Sequence, residues 1–109
     1  MRTSSLTDFL NSVFEERIRQ EDKWGDQSGR RVHREPFRRQ GYEDLANTVK
    51  AVNDRGNTSW DNILLEEVYE ALAEEADTEA FETELIQIAA VAASMYEASR
   101  LHRQSKEDR

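Results

Sequence analysis

No cysteine occurs among the 109 residues, so disulfides, thiolate zinc sites and thiol catalysis are all excluded. That absence fits a reducing, cytoplasmic setting. Proline appears once, at Pro36, and glycine four times, at Gly25, Gly29, Gly41 and Gly56. Four scattered glycines cannot build a phosphate-cradling P-loop or a dinucleotide fingerprint. Histidine is nearly missing as well, and His33 and His102 are too few and too poorly placed for a histidine metal site. Nor do they allow a plausible Ser-His-Asp arrangement. Long apolar runs are lacking: Leu6, Phe9, Leu10, Val13 and Phe14 are interspersed with polar residues, so neither a membrane span nor a signal core is expected.

What the chain has in abundance is charge, on 35% of its residues, with a net balance of −8. The distribution says more than the total. Residues 1–60 carry eleven basic and ten acidic side chains, whereas residues 61–109 carry four basic and thirteen acidic. An acidic surface of that kind repels phosphate backbones and argues against a nucleic-acid groove. It suits a site whose carboxylates hold cations, which in turn hold phosphates. Against this background Arg30, Arg31, Arg34, Arg38 and Arg39 share one short segment with a single acid, Glu35. The segment reads either as a phosphate-binding lid or as a solubilising loop.

Apolar periodicity predicts an all-α chain, an antiparallel bundle of about four helices forming one domain over residues 1–109. A first helix is expected from Ser5 to about Asp22, with Asp8 as a capping-box acid and Leu6, Leu10, Val13, Phe14 and Ile18 facing inward. Residues 25–41 read as a basic loop, long enough to be either mobile or functional. A second helix is expected from Tyr42 to Val52, with Leu45, Val49 and Val52 inward, ending at Asn53-Asp54-Arg55-Gly56. Thr58 or Ser59 should cap a third, which carries an acidic cluster. The fourth is apolar on nearly every side from Leu85 to Tyr96, more than one neighbour would cover, which predicts a homodimer or homotetramer. The tail from about residue 102 is expected to fray.

The third and fourth helices carry the chemistry. Glu66, Glu67 and Glu70 lie on the third, and Glu84 and Gln87 on the fourth. Asp77 and Thr78, N-cap types, stand in the short connection, so the helices should be antiparallel neighbours. With the turn centred on Asp77, Glu70 and Glu84 each lie seven residues away, and Glu67 and Gln87 each ten. Equal counts along equal rises put each pair level. Residues three apart share a helix face, so the expected result is a two-rung ladder within reach of bound cations. Gln87 is the strongly polar residue in a run expected to be buried, where an amide needs a partner. Metal, substrate and a neighbouring helix are all candidates. An exposed Glu-Glu-x-x-Glu face is otherwise a solvated stripe.

Glu66-Glu67-x-x-Glu70 followed by Glu84-x-x-Gln87 resembles the E-E-x-x-E and E-x-x-D motifs of the MazG-like, all-α nucleoside triphosphate pyrophosphohydrolases. The phage and bacterial MazG-like group is also similar at Arg17-x-Arg19-Gln20-x-x-Lys23-Trp24-Gly25, at Trp60-x-x-Ile63-Leu64-Leu65 and at Glu84-Leu85-Ile86-Gln87-Ile88-Ala89-Ala90-Val91. The resemblance implies a helical homo-oligomer that cleaves a nucleoside triphosphate to monophosphate and pyrophosphate. It implies Mg²⁺, or alternatively Mn²⁺, held by Glu67, Glu70 and Glu84, with Glu66 as the accompanying acid; a spare carboxylate, Glu66 or Glu67, would orient or deprotonate the attacking water. Gln87 departs from the pattern, which has Asp there. A glutamine can coordinate through its carbonyl but removes one negative charge. Among residues outside the motif, Lys23 suits a phosphate and Trp24 a base, with Arg34 and Arg38 as further substrate contacts. The alternative for Trp24 and Trp60 is to anchor helix ends in the core. A catalytically silent nucleotide sensor and a structural helical oligomer or interaction module are the competing functional readings.

Overall fold

The computed structural model describes residues 3–32, 38–56 and 58–108. Four helices account for most of them: α1 (Thr3–Trp24), α2 (Arg38–Asp54), α3 (Trp60–Ala73) and α4 (Glu79–Glu107). The all-α expectation holds, and no strand occurs among the described residues. No helix there is long and apolar enough to cross a membrane. The chain divides into two compact units, Val32–Ala92 and Met1–Arg31 with Ala93–Arg109, so α4 contributes its first half to one and its second half to the other.

In the Val32–Ala92 unit, α2 packs on α3. The half-buried and buried residues of α2 are Arg39, Tyr42, Ala46, Val49 and Asn53, which recur at helical spacing on one face. This corrects the expected inward set, because Leu45 and Val52 stay 44% and 39% exposed. Ala46 and Ala71 are buried instead, and side chains that small let two helices approach closely. Phe81 of α4 is the large buried residue of the same unit among those described. Two polar links tie the pair. Arg39 Nε donates to the Ala73 carbonyl at 3.1 Å, satisfying an orphan acceptor at the end of α3, and Asn53 Nδ2 donates to the Asn62 carbonyl at 3.3 Å.

Helix boundaries differ from expectation in instructive ways. α2 begins at Arg38, so Arg38 and Arg39 belong to a helix and not to the basic loop, and Gly41 sits inside it. A helical glycine costs about 1 kcal/mol relative to Ala, which the packing of α2 on α3 offsets. Arg34 and the centre of the expected loop lie outside the described residues. α2 ends at Asp54, and the turn after it closes at Gly56, whose φ of +80° needs the left-handed freedom of glycine. Ser59 occupies the N-cap position of α3 but makes no side-chain cap; its hydroxyl donates to the Asp61 carboxylate. Thr78 does cap α4, accepting from Phe81 N at 3.2 Å. Asp77, just before it, takes a left-handed φ of 63° that closes the turn.

In the other unit, α1 runs two residues further at each end than expected and stops at Gly25, whose N–H donates to the Glu21 carbonyl at 2.7 Å. Asp8 is therefore past the capping turn. Its carboxylate accepts from Arg100 Nη1 at 3.0 Å, while Phe9 packs on Tyr96 with ring centroids 5.4 Å apart. α4 continues through His102 to Glu107, which corrects the expected fraying from residue 102. Arg, Leu, Gln, Lys and Glu in that stretch are good helix formers.

Candidate functional site

Glu67 and Glu70 share a face of α3, and Thr78 and Asp77 start α4 at the register that places Glu84 opposite them. Carboxylate oxygens of Glu67, Glu70 and Glu84 come within 4.8 Å of one another, all three residues being half-buried. Gln87 completes the ladder. With its amide nitrogen turned toward the acids it donates to Glu84 Oε2 at 2.9 Å and to Glu67 Oε2 at 3.1 Å, the orientation that satisfies both partners. Contacts of 67 with 87 and of 70 with 84 require α3 and α4 to run antiparallel, as the equal counts about Asp77 demand.

Electrostatics follow from this convergence. Burial first, then the neighbouring charges of Glu84 and Glu66, push the Glu67 carboxyl above the usual glutamate range. Glu70 is raised by burial and by Glu67, Glu66 and Glu84, with Lys50 of α2 acting in the opposite sense. Burial and Glu74 raise Glu84. All three carboxyls thus hold protons more readily than an isolated glutamate, because burial disfavours the charged form and neighbouring carboxylates add repulsion. No protein-family model, curated protein or solved structure matches the chain. Its chemistry is therefore read from these residues themselves.

Not every predicted site residue joins them. Glu66 is half-buried on α3 but is not among the converging oxygens. Gln87, expected to be a buried amide, is exposed, and its neighbours Leu85 and Ile86 are 45% and 70% exposed. The hydrogen-bond need anticipated for it is met by the two glutamates. Lys23 and Trp24 belong to the other unit, where the Lys23 ammonium lies 4.9 Å from the centre of the Trp24 ring. Trp24 and Trp60 are 53% and 43% exposed, which leaves neither as a buried anchor. Arg38 opens α2, and Arg39, in the supposed lid, is spent on the Ala73 carbonyl.

Three residues escaped the reading of the sequence. A cleft of about 410 Å³ beside Glu70 and Glu84 is also lined by Glu43, Asn47 and Lys50 of α2. These recur at i, i+4 and i+7, and Lys50 is the sole basic residue between Arg39 and Arg55. That periodicity was the available signal, though it looks like an ordinary solvated helix face. The arrangement can chelate a cation with three carboxylates while presenting an ammonium and an amide to whatever the cation carries.

Proposed function

We propose that this chain is a Mg²⁺-dependent nucleotide pyrophosphohydrolase, converting a nucleoside or deoxynucleoside triphosphate to its monophosphate and pyrophosphate. The observation that carries the proposal is the convergence of Glu67, Glu70 and Glu84 from two antiparallel helices, at the spacing of the motif the sequence resembles. The donor set fits a hard divalent ion, since it is all oxygen and carries three carboxylates close enough to share one cation. When bound, such an ion offsets phosphate charge and favours attack by water on a phosphoanhydride.

The residues divide the remaining work. Glu67, Glu70 and Glu84 bind and orient the cation. Glu66, beside the converging set, accepts a proton from the water that attacks the α-phosphorus, as the bond to the bridging oxygen breaks and pyrophosphate leaves. Lys50, lining the cleft with Glu70 and Glu84, offers an ammonium to phosphate oxygens. A second reading, a nucleotide-binding protein without turnover, is favoured by one observation: Gln87 donates to Glu67 and Glu84 where the motif would place another acid.

The test is incubation with a panel of ribo- and deoxynucleoside triphosphates in Mg²⁺ or Mn²⁺, with Glu70→Gln as control. Monophosphate plus pyrophosphate, lost in the variant, is the expected result. Nucleotide-dependent stabilisation with no product would select the silent binder. Neither product nor stabilisation would overturn both readings and leave a structural helical module.

A further inference from the structure

We infer that Glu43 of α2 reads the sugar of the substrate, its carboxylate accepting from the 2′- and 3′-hydroxyls, so that the site prefers ribonucleoside to deoxyribonucleoside triphosphates. This rests on the nucleotide reading of the cleft and assigns the residue that sets its sugar specificity. Glu43 lines the cleft with Glu70 and Glu84, yet its carboxylate is not among the converging oxygens that a cation would share. It is exposed and makes no hydrogen bond or ion pair among the described residues. An acid that neither joins the chelating set nor meets a base of its own chain is free to accept from whatever fills the cleft.

Helix register locates Glu43 along the substrate. Arg39 bonds to Ala73 and Asn53 to Asn62, at opposite ends of α2, so α2 runs antiparallel to α3. Interpolated between those two links, Glu43 stands level with Glu70, and Asn47 with Glu67. Lys50 stands seven residues past Glu43, roughly 10 Å along the axis. The cleft is therefore polarised about the acidic cluster. Its Lys50 end suits the β- and γ-phosphates, whereas its other end, walled by Glu43 and Glu74, repels phosphate and suits groups that donate hydrogen bonds. Arg39, the basic residue at that end, has its Nε on the Ala73 carbonyl.

A nucleotide whose α-phosphate lies at the cation and whose β- and γ-phosphates extend toward Lys50 turns its sugar toward Glu43, because the sugar is joined to the α-phosphate on the side away from the pyrophosphate. Ribose presents two adjacent hydroxyl donors there, and an ionised carboxylate has the lone pairs to accept both. Bonds of this charge-assisted kind are short and strong. Deoxyribose offers one donor fewer and leaves part of the carboxylate desolvated against a methylene group. Ala46 and Ala73, small side chains on the wall of the cleft, leave room beside Glu43, and its volume of about 410 Å³ is that of a small-ligand site. Glu43, Asn47 and Lys50 are all exposed, so the expected discrimination is roughly tenfold, well short of the roughly 10⁴-fold of an enclosed hydrogen-bonding site.

The test measures kcat/KM of the full chain in Mg²⁺ for matched pairs of ribo- and deoxynucleoside triphosphates carrying the same base. The parent should favour the ribonucleotide roughly tenfold, and Glu43→Ala should bring the ratio to about one by lowering the ribonucleotide arm. Asp44→Asn removes the same charge from a neighbouring exposed position outside the cleft and should keep the ratio. If the chain binds without turnover, the same preference is read from the rise in melting temperature that each nucleotide of a pair induces. A parent that does not discriminate between the sugars, or a preference that survives Glu43→Ala, would overturn the assignment while leaving the nucleotide reading in place. Neither hydrolysis nor stabilisation by any member of the panel would overturn that reading and this assignment with it.

Discussion

Glu67, Glu70 and Glu84 are all pushed in the same direction, toward holding a proton, and that shared strain gives the residues a signature independent of turnover. Replacing Glu67 with Gln removes one of the repelling charges yet keeps an oxygen that can accept from the Gln87 amide. Discounted for solvent, the relief is on the order of 0.5 kcal/mol, or roughly 2–4 °C in melting temperature. Thermal denaturation in chelator should therefore show Glu67→Gln above the parent; a lower value would mean the carboxylate is not under repulsion. Gln87→Asp should do the reverse, adding a charge and deleting two donated hydrogen bonds, at a cost of about 1 kcal/mol without divalent ions. Its Mg²⁺-induced rise in melting temperature should exceed the parent's, and an equal rise would place residue 87 outside the cation's reach. The acids of the cluster were legible in the sequence because motif and turn counting are local. Asn47 and Lys50 were not, because only the packing of α2 on α3, a contact distant in sequence, brings their polar stripe beside Glu70.

At the scale of elements, the register of the ladder depends on where α4 starts. Thr78 Oγ1 accepts from Phe81 N and donates to the Glu75 carbonyl at 2.7 Å, joining the cap to the turn before it. Thr78→Ala should cost about 1 kcal/mol, seen as a fall of roughly 4–8 °C in melting temperature. Because the same cap sets Glu84 opposite Glu70, it should also reduce the stabilisation that Mg²⁺ confers; unchanged melting with and without the ion would show that the turn is held by other contacts. α3 and the turn at Asp77 could be read from the sequence, since cap residues and apolar spacing agree there. The start of α2 could not, because Gly41 and the surrounding arginines carry a local loop signal that Arg39, bonded to Ala73 thirty-four residues away, overrides. Ser59 shows the same limit in small: its type and place suit a cap, yet Asp61 two residues on takes the hydroxyl.

For the whole molecule, the segregation of charge makes pH and divalent ions opposing levers on stability. The three raised carboxyls start from an ordinary value of 4.5. Between that value and their raised ones the folded state binds more protons than the unfolded state, so stability falls as pH rises through this window and is flat above it. Acidification from neutrality should thus stabilise the metal-free protein, aided by the decline of its net charge of −8. The gain ends at lower pH. Asp26, bonded by Ser28, and Asp61, bonded by Ser59 and the Asn62 backbone, are held below their ordinary 3.8, and their contribution is lost as they protonate. A saturating divalent ion reverses the upper slope, because its ligands must be ionised and protons compete with it. Melting temperatures recorded across pH in chelator and in Mg²⁺ should therefore diverge toward neutrality and converge toward pH 4.5. The double variant Glu67→Gln, Glu84→Gln separates the cluster from the general charge effect: it should flatten the chelator curve and abolish the divergence. Parallel curves for the parent in the two conditions would mean that the acidic cluster does not bind the ion, and a chelator curve that rises with pH would mean that burial and neighbouring charge do not disfavour the ionised glutamates.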